Sequence, residues 1–565
     1  MTEKDEFCGG RFLLADATPQ QVFTPEDLSP EQRQIVEMTR RFAAESVAPV
    51  IDRIERKDFD LLRQLIRQAG VLGLFAVDVP EQYGGLQMNK ITSALITEWT
   101  SVSASLCVTF IAHSGIGLLP LLWYGTPEQK QRYLPGLISG ETIAAYALSE
   151  GSSGSDALNI RATAVRSEDG SQFVLNGEKM WISNAGLASL FTIFAKIDGK
   201  LFSAFLVEAG TPGLSIGKEE SKMGIRGSST CSVVLRDCVV PATSLLGEAG
   251  KGHYIAFNVL NVGRYKLGAM ALGGARYALQ KGIEYGKQRS AFGKSITEFG
   301  LVQEKIAESA AMIYVAEALV YRTVGSIDAS LQDVKPGGAQ YAVEVQSRIA
   351  KFAVECSIAK VWCSEMQAVV VDHVLQIHGG SGFTEDYPAA RFYRDARVNR
   401  IFEGTNEVNR LIISGWTERE IRGALAALED DSTTEHSKDG VVRLVGEMKR
   451  AVRRILSLAL TNCGKGYAEI QELAGTLADM ICEVYALESS LLRCRKNPSA
   501  LGADLVAYYA CIARRRFLSA AEKMLSHIAP DEDPGDVDRI LSTMRWTPAD
   551  QIATGRRIAE QMLTD

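Results

Sequence analysis

Glu403 stands between Phe402 and Gly404 in the run Arg400-Ile-Phe402-Glu403-Gly404-Thr405-Asn406-Glu407, just ahead of a helical stretch. A carboxyl flanked by apolar groups suits a general base working near neutrality. The same residue also reads as the acid of a helix N-terminus, with Thr405 or Asn406 as its cap. Three other segments hold residue types that could do chemistry. Tyr146-Ala-Leu148-Ser149-Glu150-Gly-Ser-Ser-Gly154-Ser155-Asp156 is rich in Gly and Ser. Exposed N–H and hydroxyl groups there suit a phosphate or a flavin edge, or make only a polar turn. In Lys179-Met-Trp181-Ile-Ser183-Asn184, the Trp could cover an aromatic cofactor while the Ser hydrogen-bonds to it, or the Trp is core. Tyr285-Gly-Lys-Gln-Arg289-Ser-Ala-Phe292-Gly-Lys294 sets cations around glycine, as a diphosphate clamp would, or as a basic helix end would. Gln376-Ile-His-Gly379-Gly380-Ser-Gly382 precedes the Glu403 run by some twenty residues and could approach a ligand closely through its glycines.

The elements that must position these residues follow from patterning. Helical signals occupy roughly residues 1–142, including a Ser29-Pro30-Glu31 start and the stretches Phe59–Ala69, Thr92–Ser101 and Pro127–Ile138. Between 143 and 250 the chain turns to short β-branched and aromatic segments: Ile143–Leu148, Ala162–Val165, Phe173–Lys179, Phe191–Ala195, Phe202–Val207 and Ser232–Leu235. Asp169-Gly170, Asn176-Gly177, Asp198-Gly199 and Pro212-Gly213 punctuate them, which predicts an antiparallel sheet. Residues 251–428 return to long amphipathic helices, Glu429–Gly440 reads as a linker, and 441–565 form a further helical domain. The fold class is therefore multidomain and mainly α, with a middle β domain, and not the alternating pattern of a dinucleotide fold. GxGxxG, GxxxxGKT/S and HExxH are absent.

Composition narrows the function. The 565 residues are 46% hydrophobic and 23% charged, with 61 Lys+Arg against 68 Asp+Glu. A net charge of −7 argues against nucleic acid as a partner. Ten cysteines with no CxxC pair argue against a zinc cluster or a disulfide framework, so no metal site is expected. The start MTEKDEF lacks the signal- and transit-peptide patterns, and the apolar run Leu106–Leu122 is interrupted by His113, glycines and Pro120. A cytoplasmic location is expected, with that run as a buried helix and turn.

Taken together and in order, the motifs resemble the acyl-CoA dehydrogenase family over most of residues 25–425. YALSEGSSGSD is similar to its first flavin loop and KMWISNA to its flavin-stacking strand. Lys222–Arg226 through Val240-Pro241 and Leu246-Gly247, then KQRSAFGK, QIHGGSGF and IFEGTNEVNRLII, complete the series. The extension past 441 resembles the very-long-chain branch. The resemblance implies an N-terminal helical domain, a β-barrel-like middle domain, a four-helix bundle and an extra C-terminal helical domain, with FAD as cofactor. It implies that Tyr146, Leu148, Ser149, Trp181 and Ser183 lie along the flavin. Arg289 and Phe292 would meet FAD across a homodimer interface, with Gln376, Gly379, Gly380, Thr405 and Glu407 contacting the same cofactor. Ser155 would lie near both cofactor and pantetheine, Asn261 and Arg264 at the nucleotide end of CoA, and Phe402 and Gly404 against the acyl-CoA. Glu403 would remove the α-proton while the β-hydride passes to flavin N5, with an electron-transfer flavoprotein as acceptor. Gly263, where some relatives carry the base, leaves no rival carboxylate. An acyl-CoA oxidase using O₂, or a non-enzymatic assembly or scaffold role, are the alternatives.

Two finer expectations concern substrate and surface. Ser103, Ala104, Ser105 and Cys107 are small, which leaves room for a medium-to-long acyl chain. In Val441–Leu460, apolar positions at 441, 445, 448, 452, 455, 456 and 459 form a stripe beside Arg443, Lys449, Arg450, Arg453 and Arg454. Such a helix either packs on the catalytic core or lies peripherally on an anionic membrane.

Overall fold

The computed structural model describes residues 7–335, 340–425, 437, 439–529, 546 and 548–564. Most of the expected Glu429–Gly440 linker lies outside the described residues. By packing, the chain forms two compact units. A sheet unit comprises Ser29–Gly274 and Leu331–Ala350; a helical unit comprises Met1–Leu28, Ala275–Ser330 and Lys351–Asp565.

The sheet unit opens on helix Pro30–Arg41, whose Ser29 cap accepts from Gln32 N while Gln32 returns a bond to Ser29 N. Helices Phe59–Val71, Lys90–Thr100 and Ala104–Ile111 follow. The apolar run continues as a π-helical turn, Ala112–Gly117, and helix Leu119–Tyr124. Ala104–Tyr124 and Gly300–Leu331 are long and apolar enough to cross a membrane, and both are mostly buried inside the protein.

His113 sits in the π-helical turn. Its Nε2 faces Leu137 O at 2.9 Å and its Nδ1 accepts from Ala144 N at 3.1 Å. Burial holds its pKa down to about 4, so near neutrality it acts as an uncharged tie onto the strand that follows.

That strand is β1 (Ala144–Ala147). The remaining strands are β2 (Thr163–Arg166), β3 (Gln172–Ser183), β4 (Leu190–Ile197), β5 (Leu201–Glu208), β6 (Leu214–Ile216), β7 (Thr230–Pro241) and β8 (Leu245–Leu246). Their order is β6-β7-β3-β2-β4-β5-β8, with β1 also on β4. The sheet is mixed, not antiparallel as expected, because β1 and β2 both pair with β4 in parallel. Asn176-Gly177 is not a turn either. It lies inside β3 at a register shift against β7, with Gly177 at φ 146°. A Cβ there would come within 2.8 Å of Ala162 Cα, so only glycine fits.

The helical unit takes in the chain's N-terminus, which the sequence reading assigned to residues 1–142 as one helical domain. Phe12 packs against Tyr485 at 4.8 Å, Arg493 Nη2 meets Glu26 Oε1 at 2.8 Å, and Lys496 Nζ meets Asp27 Oδ2 at 2.6 Å. Gly325 admits Phe23, whose Cβ would lie 2.3 Å from any Cβ at 325. These contacts tie residues 7–28 to helices Gly300–Leu331 and Gln471–Lys496, in the same unit as helices Gly440–Asn462 and Ala500–Ile528.

The basic stripe resolves in the same place. Leu444, Val445, Met448, Val452, Ile455, Leu456 and Ala459 are buried. Lys449 pairs with Glu488 and with Asp16 at 2.9 Å, and Arg453 donates to Leu13 O at 2.6 Å. The apolar face is spent on packing, so it is not free to lie on a membrane.

Glu355 closes the N-terminal segment from helix Ala353–His378. Its two oxygens accept from Gly9 N at 3.1 Å and Gly10 N at 2.9 Å. Burial pushes its pKa up to about 7, against those N–H donors and Arg322. Between about pH 4.5 and 7 the folded chain holds a proton that the unfolded chain has released. Stability relative to Glu355→Gln therefore falls as pH rises across that window and levels off above it. Melting temperatures of both proteins against pH test this, and parallel curves would refute it.

Candidate active site

In the sheet unit, two of the sequence segments meet. Met180 N donates to Ser149 O at 2.9 Å, joining the loop after β1 to β3. Lys179, fully buried, donates to Leu148 O at 3.3 Å and to Glu150 Oε1 at 2.7 Å. Glu150 also accepts from Arg161 N at 2.6 Å and Ala162 N at 3.0 Å. Burial drives Lys179 down to about 8, opposed by Glu150. For Glu150, burial works upward, but Lys179 and the two backbone donors outweigh it and hold the carboxyl below its usual range. Lys179 and Glu150 thus staple the loop from inside. Their types stood in the motifs, but nothing in their spacing showed that they pair.

The staple leaves specific groups outward. Between Lys179 and Ile182, β3 slips register against β7. Trp181 takes a left-handed φ of 58° and leaves its indole 56% exposed. Asn184 is also left-handed, at φ 66°, yet fully buried. Its Nδ2 donates to Thr109 O at 3.0 Å and Ala144 O at 3.3 Å. Its buried Oδ1 finds no donor among the described residues. Strained non-glycine residues cost of order 1–3 kcal/mol and concentrate at functional sites. Tyr146 and Leu148 are buried, Ser149 and Ser183 half-buried, and Ser155 exposed on the loop.

Asn261 and Arg264 lie in the sheet unit, on helix Gly252–Gln288. Both are buried, and Arg264 Nη1 donates to Asn261 Oδ1 at 2.8 Å. Ser103, Ser105 and Cys107 are buried too and hydrogen-bonded. Ser103 Oγ accepts from Leu106 N, Ser105 Oγ reaches Glu55 Oε1 at 2.5 Å, and Cys107 Sγ reaches Thr97 O at 3.6 Å. Their small size is used in packing the helix start, so it does not measure acyl-chain space.

In the helical unit, Arg289 and Phe292 sit on a hairpin of Ser290–Ala291 and Lys294–Ser295 after helix Gly252–Gln288. Phe292 is left-handed at φ 52° and 95% exposed. Tyr285 stacks on His378 at 4.2 Å and its OH reaches Ser381 Oγ at 3.2 Å. This brings the Arg289 segment beside Gln376, Gly379 and Gly380, all exposed. A Cβ at Gly379 or Gly380 would meet nothing within 4 Å, so the backbone is open to a ligand.

The Glu403 turn belongs to the same unit. Glu403 (φ 58°) and Gly404 (φ 80°) are consecutive left-handed residues, and Phe402, Glu403, Gly404 and Thr405 are half-buried. Thr405 Oγ1 caps helix Asn406–Leu425 through Val408 N at 3.2 Å. Glu407 in its first turn is exposed and held below its usual range by its own backbone N–H and Thr405. Asn409, missed from sequence, donates Nδ2 to Gly404 O at 2.8 Å, Thr405 O at 3.0 Å and Glu403 O at 3.4 Å.

Each unit by itself offers groups that fit part of FAD: the sheet unit an outward indole for a ring face, the helical unit a guanidinium and open glycines for a diphosphate. Domain models agree with this reading. Those described as acyl-CoA dehydrogenase N-terminal, middle and C-terminal domains match residues 29–141, 145–238 and 250–417, and a second C-terminal domain model matches 447–545. The chain is 44% identical to a probable acyl-CoA dehydrogenase of Bacillus subtilis over 513 residues, 88% of this chain and 86% of that one. It is 34% identical over 522 residues to the human mitochondrial very long-chain specific acyl-CoA dehydrogenase, covering 88% of this chain and 75% of that one. The crystal structure of an acyl-CoA dehydrogenase complexed with FAD from Bacillus anthracis superposes with a TM-score of 0.94 at 40% identity, covering 99% of both chains. The chain belongs to the acyl-CoA dehydrogenase family. It is an FAD-dependent oxidoreductase with the extra C-terminal helical domain.

The Glu150–Lys179 staple is testable. Removing one partner of a buried pair strands the other charge and costs about 3–5 kcal/mol. Lys179→Met and Glu150→Gln should each melt lower and lose FAD on desalting. The double variant Lys179→Met/Glu150→Leu should regain most of the stability but not the FAD. Undiminished flavin fluorescence retained by all three would rule the pair out as the loop's support.

Proposed function

We propose that the chain catalyses α,β-dehydrogenation of a fatty acyl-CoA of medium-to-long chain to the trans-2-enoyl-CoA, with Glu403 removing the α-proton. A thioester α-proton is far too weakly acidic for a carboxylate in water. The Glu403 backbone N–H, donating to the thioester carbonyl, stabilises the developing oxyanion by about 3–4 kcal/mol. FAD, along Tyr146, Leu148, Ser149, Trp181 and Ser183 and against Arg289, Gln376, Gly379, Gly380, Thr405 and Glu407, supplies the acceptor for the β-hydride. Ser155, Phe402 and Gly404 contact the acyl-CoA, and Asn261 and Arg264 meet the nucleotide end of CoA.

The observation that carries this reading is the left-handed, half-buried Glu403, strained at a residue type that gains nothing structurally from that backbone. The name of the human relative supports the longer substrates. Phe292 at 95% and Phe383 at 85% exposure, beside Arg289 and Gly380, support a homodimer whose second copy covers this face. An electron-transfer flavoprotein as acceptor and a cytoplasmic location complete the proposal.

Glu403→Gln should keep FAD and acyl-CoA binding while turnover drops by roughly 10²–10⁴-fold. Anaerobic flavin bleaching with acyl-CoA thioesters of graded length measures it and selects the chain length. Full bleaching by the variant would remove Glu403 from the role. Peroxide release in place of dye reduction would make O₂ the acceptor.

A further inference from the structure

We propose that Lys360 is a positioning residue for Glu403, a reading that rests on Glu403 as the base. Lys360 lies on helix Ala353–His378 and is fully buried. Its Nζ donates to Gly404 O at 2.8 Å and to Asn406 Oδ1 at 2.6 Å. Asn406 in turn donates to Ser364 Oγ at 3.0 Å and Glu365 Oε1 at 2.8 Å. The Gly404–Thr405 peptide, one residue past Glu403, is thus held from behind by an ammonium anchored on another helix.

The charge of this lysine reaches the start of helix Asn406–Leu425, where, after the backbone N–H of Glu407 and Thr405, it helps to hold the Glu407 carboxyl below its usual range. Its ammonium sits at the N-terminus of helix Asn406–Leu425, where the macrodipole favours anions and disfavours cations. The helix does not need it, because Thr405 already serves as the cap. Burying an ammonium is itself costly. What the lysine does achieve is to fix a carbonyl between two left-handed residues and a helix start. Asn409 holds that carbonyl and those of Glu403 and Thr405 from the helix side, so the turn is clamped from both directions. With Gly404 O released, φ of Glu403 is free to relax toward ordinary values, and its carboxyl swings away from any fixed substrate.

The test uses the holoenzyme and the variants Lys360→Met and Lys360→Arg. In Lys360→Met, kcat should fall by roughly 10²-fold, the scale of a misplaced reacting group, with KM changed far less. Hydrogen–deuterium exchange should quicken in the peptides covering 402–409 and stay unchanged elsewhere in the helical unit. Lys360→Arg, which keeps a buried cationic donor, should recover a large part of kcat. Wild-type kcat and exchange in Lys360→Met would overturn the proposal, as would exchange quickened throughout the unit in step with lost activity. If Lys360→Met does not fold, Asn406→Ala, which removes the second acceptor, is read by the same two measurements. Glu403→Gln run alongside separates the two claims. If that variant stays active the base assignment fails, while local exchange still decides whether Lys360 holds the turn.

Discussion

A carboxylate proposed as the base for one carbon-bound proton has to be held more firmly than its flexible side chain allows, and at Glu403 the backbone is the rigid part. Glu403 and Gly404 adopt left-handed φ values in succession. For the glutamate that conformation is strained by roughly 1–2 kcal/mol. Such strain persists only when neighbours over-determine it. Asn409 and Lys360 do so by converging on the carbonyls of residues 403–405. Everything attributed to the site presupposes that this turn does not relax.

The sheet unit solves a parallel problem with the same means. Trp181 must face outward from a strand whose alternation would otherwise be set by its neighbours. A bulge in β3 and a left-handed φ turn it out. The adjoining loop is rich in glycine and serine and would wander without support. Glu150 gives it an anchor by accepting from two backbone N–H groups and from Lys179 at once. A buried ion pair of this kind adds little net stability. What it does is tie the loop's one carboxylate to β3, so that the register of the strand and the position of the loop become a single variable.

These supports were the part that sequence patterning could not reach. The order of helices, strands and helices was legible, because periodicity and turn residues report local geometry. The Gly/Ser loop after β1, the tryptophan strand, the Arg289 segment, the Gly379-Gly380 pair and Glu403 stood out in sequence through their ordered resemblance to the family's motifs. Parallel pairing of β1 and β2 with β4 was not legible, since alternation is the same in either direction. Asn176-Gly177 misled because the dipeptide that suits a turn also suits a bulge. Lys360 carried one weak signal: it is a charge in step with Cys356, Cys363 and Gln367 on the inward face of its helix. A charge at a core position asks for a partner, but the partner is a carbonyl 44 residues away.

The N-terminal segment shows why contiguous sequence and compact unit diverge. Residues 7–28 form only short 3-10 turns and no long helix, so they cannot build a core of their own. They order by lending carbonyls and carboxylates to cations that the C-terminal helices place in reach: Leu13 O to Arg453, Asp16 to Lys449, Glu26 to Arg493 and Asp27 to Lys496. Three of these four cations are themselves shared, Lys449 with Glu488, Arg493 with Glu317 and Lys496 with Val22 O. Two of the five cations on the basic face of helix Gly440–Asn462, Lys449 and Arg453, are therefore engaged within their own unit. Their charge is complementary to a segment more than 400 residues earlier in the chain, and loop-closure entropy grows slowly enough with length to permit such pairing.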